Sequence, residues 1–184
     1  MKALVLFGSP REKGNTWLLT NEFIKGLKEA DIEVVFIDTT KMKVNPCNGC
    51  LACEKTGKCV ISDDMNLIYK EIEDCKILIL SSPVYFAGVS AQLKLVIDRC
   101  QALFSKNFKG NLPLSDKKRG YLIFTSGRSS EKMLQSMELC AKYFMLSCNS
   151  TLVESIYAMG LDRVKIDDEF LKSIYKKGIK AGRL

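Results

Sequence analysis

The residues most able to do chemistry lie in Cys47-Asn48-Gly49-Cys50-Leu51-Ala52-Cys53-Glu54-Lys55-Thr56-Gly57-Lys58-Cys59, four thiols at spacing C-x2-C-x2-C-x5-C. Thiols this close in sequence can converge on one metal centre, because the short loops between them wrap around it. Gly49 and Gly57 permit tight or left-handed turns without a Cβ clash. The first three cysteines have the spacing found in bacterial cluster ferredoxins, where a fourth cysteine completes the set. Zinc sites more often hold two C-x2-C pairs apart with a long spacer. The run therefore points to a metal, to iron–sulfur before zinc, with free thiols as the remaining reading.

A second stretch, Gly8-Ser9-Pro10-Arg11-Glu12-Lys13-Gly14-Asn15-Thr16, joins a short apolar run to a helical pattern. Free backbone N–H groups and the positive end of the helix dipole make such a junction an anion site. Ser9, Asn15 and Thr16 add neutral donors, and Arg11 adds a cation suited to phosphate. The spacing is neither G-x-G-x-x-G nor G-x4-G-K-[ST], so a monophosphate is favoured over a pyrophosphate or a nucleoside triphosphate. A third stretch, Ser82-Pro83-Val84-Tyr85-Phe86-Ala87-Gly88, has the make-up of a loop that offers backbone N–H groups and two aromatic rings to a planar heterocycle. In Thr125-Ser126-Gly127-Arg128, Gly127 permits close approach to such a ring.

These stretches need a frame. Ala3–Phe7, Glu33–Asp38, Ile77–Ser81, Tyr121–Thr125 and Thr151–Tyr157 read as strands, most of them continuous apolar runs of the kind buried on both faces. Helical patterns lie between them, at about 16–30, 65–73, 89–104 and 131–147, with an amphipathic helix at 167–180. Alternating strands and helices imply a parallel sheet covered on both faces. The expected fold is a flavodoxin-like, doubly wound α/β domain over residues 1–184, five-stranded in the order 2-1-3-4-5. The cysteines fall in a long connection after the second strand, at about 39–63. That connection leaves at the same carboxyl edge as the phosphate loop, which predicts a metal on that side. Asp63 or Asp64 is expected to cap the next helix. Lys94 and Asp98, with Arg99 adjacent, read as a helix-surface ion pair. Ser105–Arg119 is the most loop-like insertion.

Composition narrows the chemistry. There are no histidines, so His-based triads and histidine general acid–base catalysis are excluded. Eight cysteines without a secretory pattern suit metal or redox chemistry in the cytoplasm rather than disulfides. Cys75, Cys100, Cys140 and Cys148 sit among apolar neighbours and read as small core residues. The net charge of +7 is spread over dispersed lysines, without a nucleic-acid-binding motif. No apolar run reaches membrane-spanning length.

Taken together, Gly8-Ser9-Pro10-Arg11 with Gly14-Asn15-Thr16, the cysteine run followed by Asp63-Asp64-Met65, and Ser82-Pro83-Val84-Tyr85-Phe86 resemble the iron–sulfur flavoproteins. These belong to the wider NADPH-dependent FMN reductase group. The resemblance runs from residue 1 to about residue 130. It implies FMN, with the phosphate on Ser9, Arg11, Asn15 and Thr16 and the ring along Pro83, Val84, Tyr85 and Phe86, with Gly127 at the far side. It implies a [4Fe-4S] cluster on Cys47, Cys50, Cys53 and Cys59, a homodimer or homotetramer, and ferredoxin or NAD(P)H as electron donor. The expected function is electron transfer between one-electron and two-electron carriers. Two other readings are an FMN-only NAD(P)H-dependent flavin or quinone reductase with a structural or zinc-bound cysteine loop, and a non-enzymatic phospholigand-binding module.

Overall fold

The computed structural model describes residues 1–109 and 117–183. Five strands, β1 (Lys2–Phe7), β2 (Glu33–Asp38), β3 (Ile77–Pro83), β4 (Lys118–Ser126) and β5 (Ser150–Met159), form one sheet. All pairings are parallel, in the order β2-β1-β3-β4-β5, as the strand–helix alternation predicts. The helices are α1 (Asn15–Glu29), α2 (Ala52–Thr56), α3 (Met65–Asp74), α4 (Ala91–Arg99), α5 (Gln101–Lys109), α6 (Glu131–Ser147) and α7 (Asp168–Arg183).

Period-two alternation along the strands splits the apolar residues between two layers. Leu4, Leu6, Leu78, Leu80, Leu122 and Phe124 bury one face, with Met65 and Ile68 of α3, Leu93 and Val96 of α4, and Met137 and Phe144 of α6. Ala3, Val5, Ile77, Ile79, Tyr121 and Ile123 bury the other, with Leu19, Phe23 and Leu27 of α1 and Ile174 of α7. Both faces being covered, every long connection is forced to an edge of the sheet.

Two expectations are adjusted. The single helix expected over 89–104 is two, α4 and α5, meeting at Cys100, whose N–H is shared between the Val96 and Ile97 carbonyls. The expected insertion Ser105–Arg119 is helical as far as Lys109, and strand β4 already begins at Lys118; residues 110–116 lie outside the described residues. The long cysteine connection also contains structure of its own, the short helix α2. Among the described residues, no helix is long and apolar enough to cross a membrane.

Helices α1 and α7 approach so closely that glycine is required at their crossing. A Cβ on Gly26 would lie 2.1 Å from the Tyr175 carbonyl oxygen, and one on Gly178 2.3 Å from that of Phe23. Both obstacles are backbone, which cannot rotate away. Gly26→Ala is expected to destabilise the fold by about 1–3 kcal/mol or more through overpacking, read as a lower urea midpoint with unchanged m-value.

Candidate functional site

Strand β1 ends at Phe7, and Gly8 donates its N–H to the Ser81 carbonyl of β3 at 2.8 Å, which fixes the start of the next loop. There Arg11 N–H donates to Ser9 Oγ (3.2 Å), closing a tight turn that delivers the chain to α1. The N-terminus of α1 carries no side-chain cap, and its first turn holds no acidic residue. Its leading N–H groups are left for an outside acceptor, and the dipole there favours an anion. These groups open onto a cavity of about 320 Å³ at the carboxyl edge of the sheet.

That cavity is lined by Ser9, Arg11, Asn15 and Thr16 on one side and by Pro83, Val84 and Tyr85 on another, with Gly127 beyond them. The structure therefore brings together eight of the nine residues expected to hold the flavin. Thr16 is the least available of them. It is 2% exposed, and its hydroxyl shares a 2.6 Å hydrogen bond with that of Thr125. Phe86 is the ninth, and it does not line the cavity. Tyr85 and Gly88 exchange backbone hydrogen bonds, so Phe86 and Ala87 form the tip of a two-residue hairpin, both at positive φ (50° and 60°). That conformation is costly for residues with a Cβ. Ser136 of α6 donates to the Ala87 carbonyl at 2.7 Å and braces the tip. The Phe86 ring is left fully exposed.

Sequence reasoning named the 125–128 stretch but gave a role only to Gly127, and it missed the segment after β5 altogether. Thr125, Ser126, Leu161 and Asp162 also line the cavity. The chain after β5 returns to pair with the chain after β4, through Leu161 N–H to Ser126 O (3.1 Å) and Asp162 N–H to Gly127 O (3.0 Å). The Asp162 carboxylate folds back over Gly127, where a Cβ would stand 2.5 Å from it and push it aside. The pairing of two loops distant in sequence left no local signal for Asp162.

The cysteine loop stands apart from this cavity, and no cysteine lines it. The loop turns through left-handed residues at Gly49, Leu51 and Gly57 (φ 67°, 61° and 68°). Cys47 and Cys50 are exposed, Cys53 and Cys59 half-buried, and all four are free thiols. Among the described residues, no three cysteine, histidine or acidic side chains are gathered as a site for a metal ion. After leaving the carboxyl edge, the connection packs against α3, α4 and α5: Gly57 lies against Lys106, and Cys59 lines a cavity of about 390 Å³ with Tyr69 and Leu103.

The loop is tied down by Arg99. The sequence placed this residue beside a surface ion pair, and the pair Lys94–Asp98 is indeed exposed. Arg99 itself is 1% exposed. It is bound twice to the Asp63 carboxylate (2.7 and 3.2 Å) and donates to the carbonyls of Asn45 (2.9 Å) and Ile61 (3.1 Å). Asp63 also accepts the N–H groups of Met65 (3.0 Å) and Asn45 (2.9 Å). The capping expected of Asp63 is thus one part of its work. Asp64 instead accepts from Lys43 N–H, at 2.7 Å.

The arrangement has known counterparts. A match to the NADPH-dependent FMN reductase family spans residues 1–158. The chain belongs to that family. Over about half its length it is similar to iron–sulfur flavoproteins. It is 47% identical over 103 residues to one from Methanocaldococcus jannaschii, covering 56% of this chain and 53% of that protein. It is 41% identical over 101 residues to one from Archaeoglobus fulgidus, covering 55% and 51%. The chain thus spans about half the length of these curated relatives. In fold it is similar to an azoreductase from Bacillus anthracis, at a TM-score of 0.74, 16% identity and full coverage of both chains.

In this family member the Asp63–Arg99 pair carries a pH signature. Burial pushes the Asp63 carboxyl up, but the Arg99 guanidinium and the two backbone N–H groups outweigh it and hold the pKa at about 2, below the usual 3.8. A depressed carboxylate pKa contributes stability that is present above the unfolded value and is lost as pH falls through the folded one. Asp63→Asn is expected to cost about 3 kcal/mol near neutral pH, because it leaves a buried guanidinium uncompensated. The difference between the two chains should narrow as pH falls from 3.8 toward about 2, measured by urea unfolding at each pH.

Proposed function

We propose that this chain is an FMN-containing electron-transfer oxidoreductase that also carries a [4Fe-4S] cluster on Cys47, Cys50, Cys53 and Cys59. The observation that carries the flavin reading is the cavity at the uncapped N-terminus of α1, where Ser9, Arg11, Asn15 and Thr16 meet Pro83, Val84, Tyr85 and Gly127. Its chemistry fits a phosphate monoester: free N–H groups, a cation and no acid in the first turn. FMN exchanges one or two electrons and an iron–sulfur cluster one, so the pair couples two-electron donors to one-electron carriers. The protein's part is to bind and orient. The α1 N-terminus and Arg11 neutralise the phosphate. Pro83 and Tyr85 set a wall for the ring, and the Asp162 carboxylate places a negative charge at the far end.

The cysteine loop fits the cluster in donor kind and number, four free thiols within one turn-rich segment. A buried, unpartnered Nε–H on Arg99, the residue that ties both ends of that segment, adds a donor suited to a thiolate. The ungathered thiols favour a second reading, an FMN-only NAD(P)H-dependent flavin or quinone reductase whose cysteine loop is structural.

NAD(P)H or a ferredoxin-like protein is the proposed electron donor. Exposed Lys55 and Lys58 beside the cysteines suit an acidic redox protein. A homodimer or homotetramer is supported by the exposed Phe86 ring and by Leu139 and Tyr143 on α6, which are 56% and 66% exposed. Eight free thiols are in keeping with a reducing, cytoplasmic setting, and the whole chain is read as one flavodoxin-like unit.

An anaerobic absorption spectrum with iron and sulfide analysis separates the readings. Flavin bands over broad iron–sulfur absorption, near four irons per chain, are expected. Flavin alone after anaerobic reconstitution with iron and sulfide leaves the FMN-only reductase. A Cys53→Ser chain should lose most of its iron and keep its flavin. Arg11→Ala is expected to weaken FMN binding about tenfold or more, the worth of one charge-assisted hydrogen bond, and to weaken riboflavin binding much less, both read by fluorescence titration.

A further inference from the structure

We infer that a second cavity, between the loops after β4 and β5, binds the phosphates of a nicotinamide dinucleotide donor through Arg128 and Arg163. The inference rests on the flavin reading above and names where that site takes its donor.

The two loops leave neighbouring strands at the carboxyl edge, and the pairings of Leu161 with Ser126 and of Asp162 with Gly127 hold them side by side. A cavity of about 650 Å³ lies there, lined by Gly127, Arg128, Ser129, Gly160, Asp162 and Arg163. Gly127 and Asp162 also line the 320 Å³ cavity, so the two spaces adjoin. Main-chain groups fix both loops. Ser126 Oγ donates to the Arg128 carbonyl at 2.6 Å. Gly160, at φ 80°, turns the chain so that its carbonyl accepts from the N–H groups of Arg163 (2.9 Å) and Val164 (3.1 Å). Both arginines are exposed. Neither guanidinium has a hydrogen-bond or ion-pair partner among the described residues.

The lining has two cations, one carboxylate, a hydroxyl and no apolar side chain. It suits an anion rich in oxygen, and the guanidinium fork matches phosphate oxygens two at a time. Ser129 stands just before Ser130, the N-cap of α6, whose side chain makes no capping bond. The positive end of that helix adds to the field, while Glu131 in its first turn and Asp162 oppose it. Exposed arginines without partners are ordinary at a surface. Two in one cavity are a different case, since like charges repel and a single carboxylate offsets them until an anion joins them.

FMN does not need these groups. Its one phosphate is proposed at the α1 N-terminus, with the ring running toward Gly127. Phosphate-binding groups beyond Gly127 therefore suit a second molecule. A donor must lie against the ring, and a nicotinamide dinucleotide carries its diphosphate one ribose away from its own ring. An acidic redox protein is the competing anion, but a concave site of this size favours a small molecule.

The test uses full-length, FMN-loaded protein and the variants Arg128→Ala, Arg163→Ala, Arg163→Lys and the double alanine variant. NADP⁺ and NAD⁺ are titrated by calorimetry, and FMN affinity is read separately by fluorescence. Each alanine variant is expected to weaken nucleotide binding about tenfold or more, the worth of a charge-assisted hydrogen bond, and to keep its FMN affinity. Arg163→Lys should recover part of the loss, since it keeps the charge without the fork. In anaerobic flavin reduction, the preference for NADPH over dihydronicotinamide riboside, a donor without phosphate, should fall by a similar factor. A preference for NADP⁺ assigns an arginine to the 2′-phosphate, and equal binding assigns both to the diphosphate; either supports the site. The inference is overturned if the double variant binds both nucleotides within twofold of the unaltered chain. It is equally overturned if the variants lose FMN as much as nucleotide, since the cavity then belongs to the flavin. A chain that binds FMN but neither nucleotide, and accepts electrons only from an acidic ferredoxin-like protein, removes the donor site and keeps the flavin reading. Arginine-dependent nucleotide binding by a chain that takes up no FMN does the reverse.

Discussion

A parallel sheet covered on both faces leaves its chain no place to be irregular except at the strand ends. Here α1 and α7 seal one face, and α3, α4 and α6 the other. Irregular backbone needs partners for its N–H and C=O groups, and at the carboxyl edge they come from neighbouring loops. Val84 N–H finds Thr125 O, and Leu161 N–H finds Ser126 O. The loops after β1, β3, β4 and β5 therefore stitch one another into a cavity wall. The candidate flavin site follows from how the sheet is covered, and its polar character from how those loops satisfy themselves.

The cysteine connection obeys a different rule. It has too few apolar side chains to be held by packing, since Cys47, Asn48, Gly49, Cys50 and Leu51 are all exposed. Its order comes from ionic and hydrogen-bonded contacts at its two ends, centred on one guanidinium. Packing fixes the flavin side, and a buried ion pair fixes the cysteine side. The two halves of the proposed chemistry thus rest on separate foundations within one fold.

Much of this was legible in the sequence. Runs such as Leu4-Val5-Leu6 and Ile77-Leu78-Ile79-Leu80 declare strands buried on both faces, and their alternation with helices gives the topology. The turn that opens onto the cavity was legible because Gly8, Ser9, Gly14 and Asn15 lie close together in the chain. Asp162 was not, because it reaches the cavity through a pairing with Gly127 across 35 residues of sequence. Phe86 does not line the cavity, because a hairpin with two left-handed residues turns its ring outward, which its sequence neighbours do not announce. Arg99 was masked by the ordinary Lys94–Asp98 spacing beside it. A signal was present: Arg99 occupies the apolar stripe Val96, Cys100, Leu103, where a charge needs an explanation.

The floor of the cavity holds one more consequence. Thr20 donates its hydroxyl proton to Thr16 O (2.7 Å), so in its 2.7 Å contact with Ser81 it is the acceptor and Ser81 the donor. The Thr16–Thr125 pair above it has no such commitment, and either hydroxyl serves as donor. Rotating two O–H bonds reverses that dipole without moving a heavy atom. Directly beneath the cavity, the protein thus has an orientational polarisability that packed hydrocarbon lacks. A change of charge above it meets a response from proton rotation, with the backbone left in place.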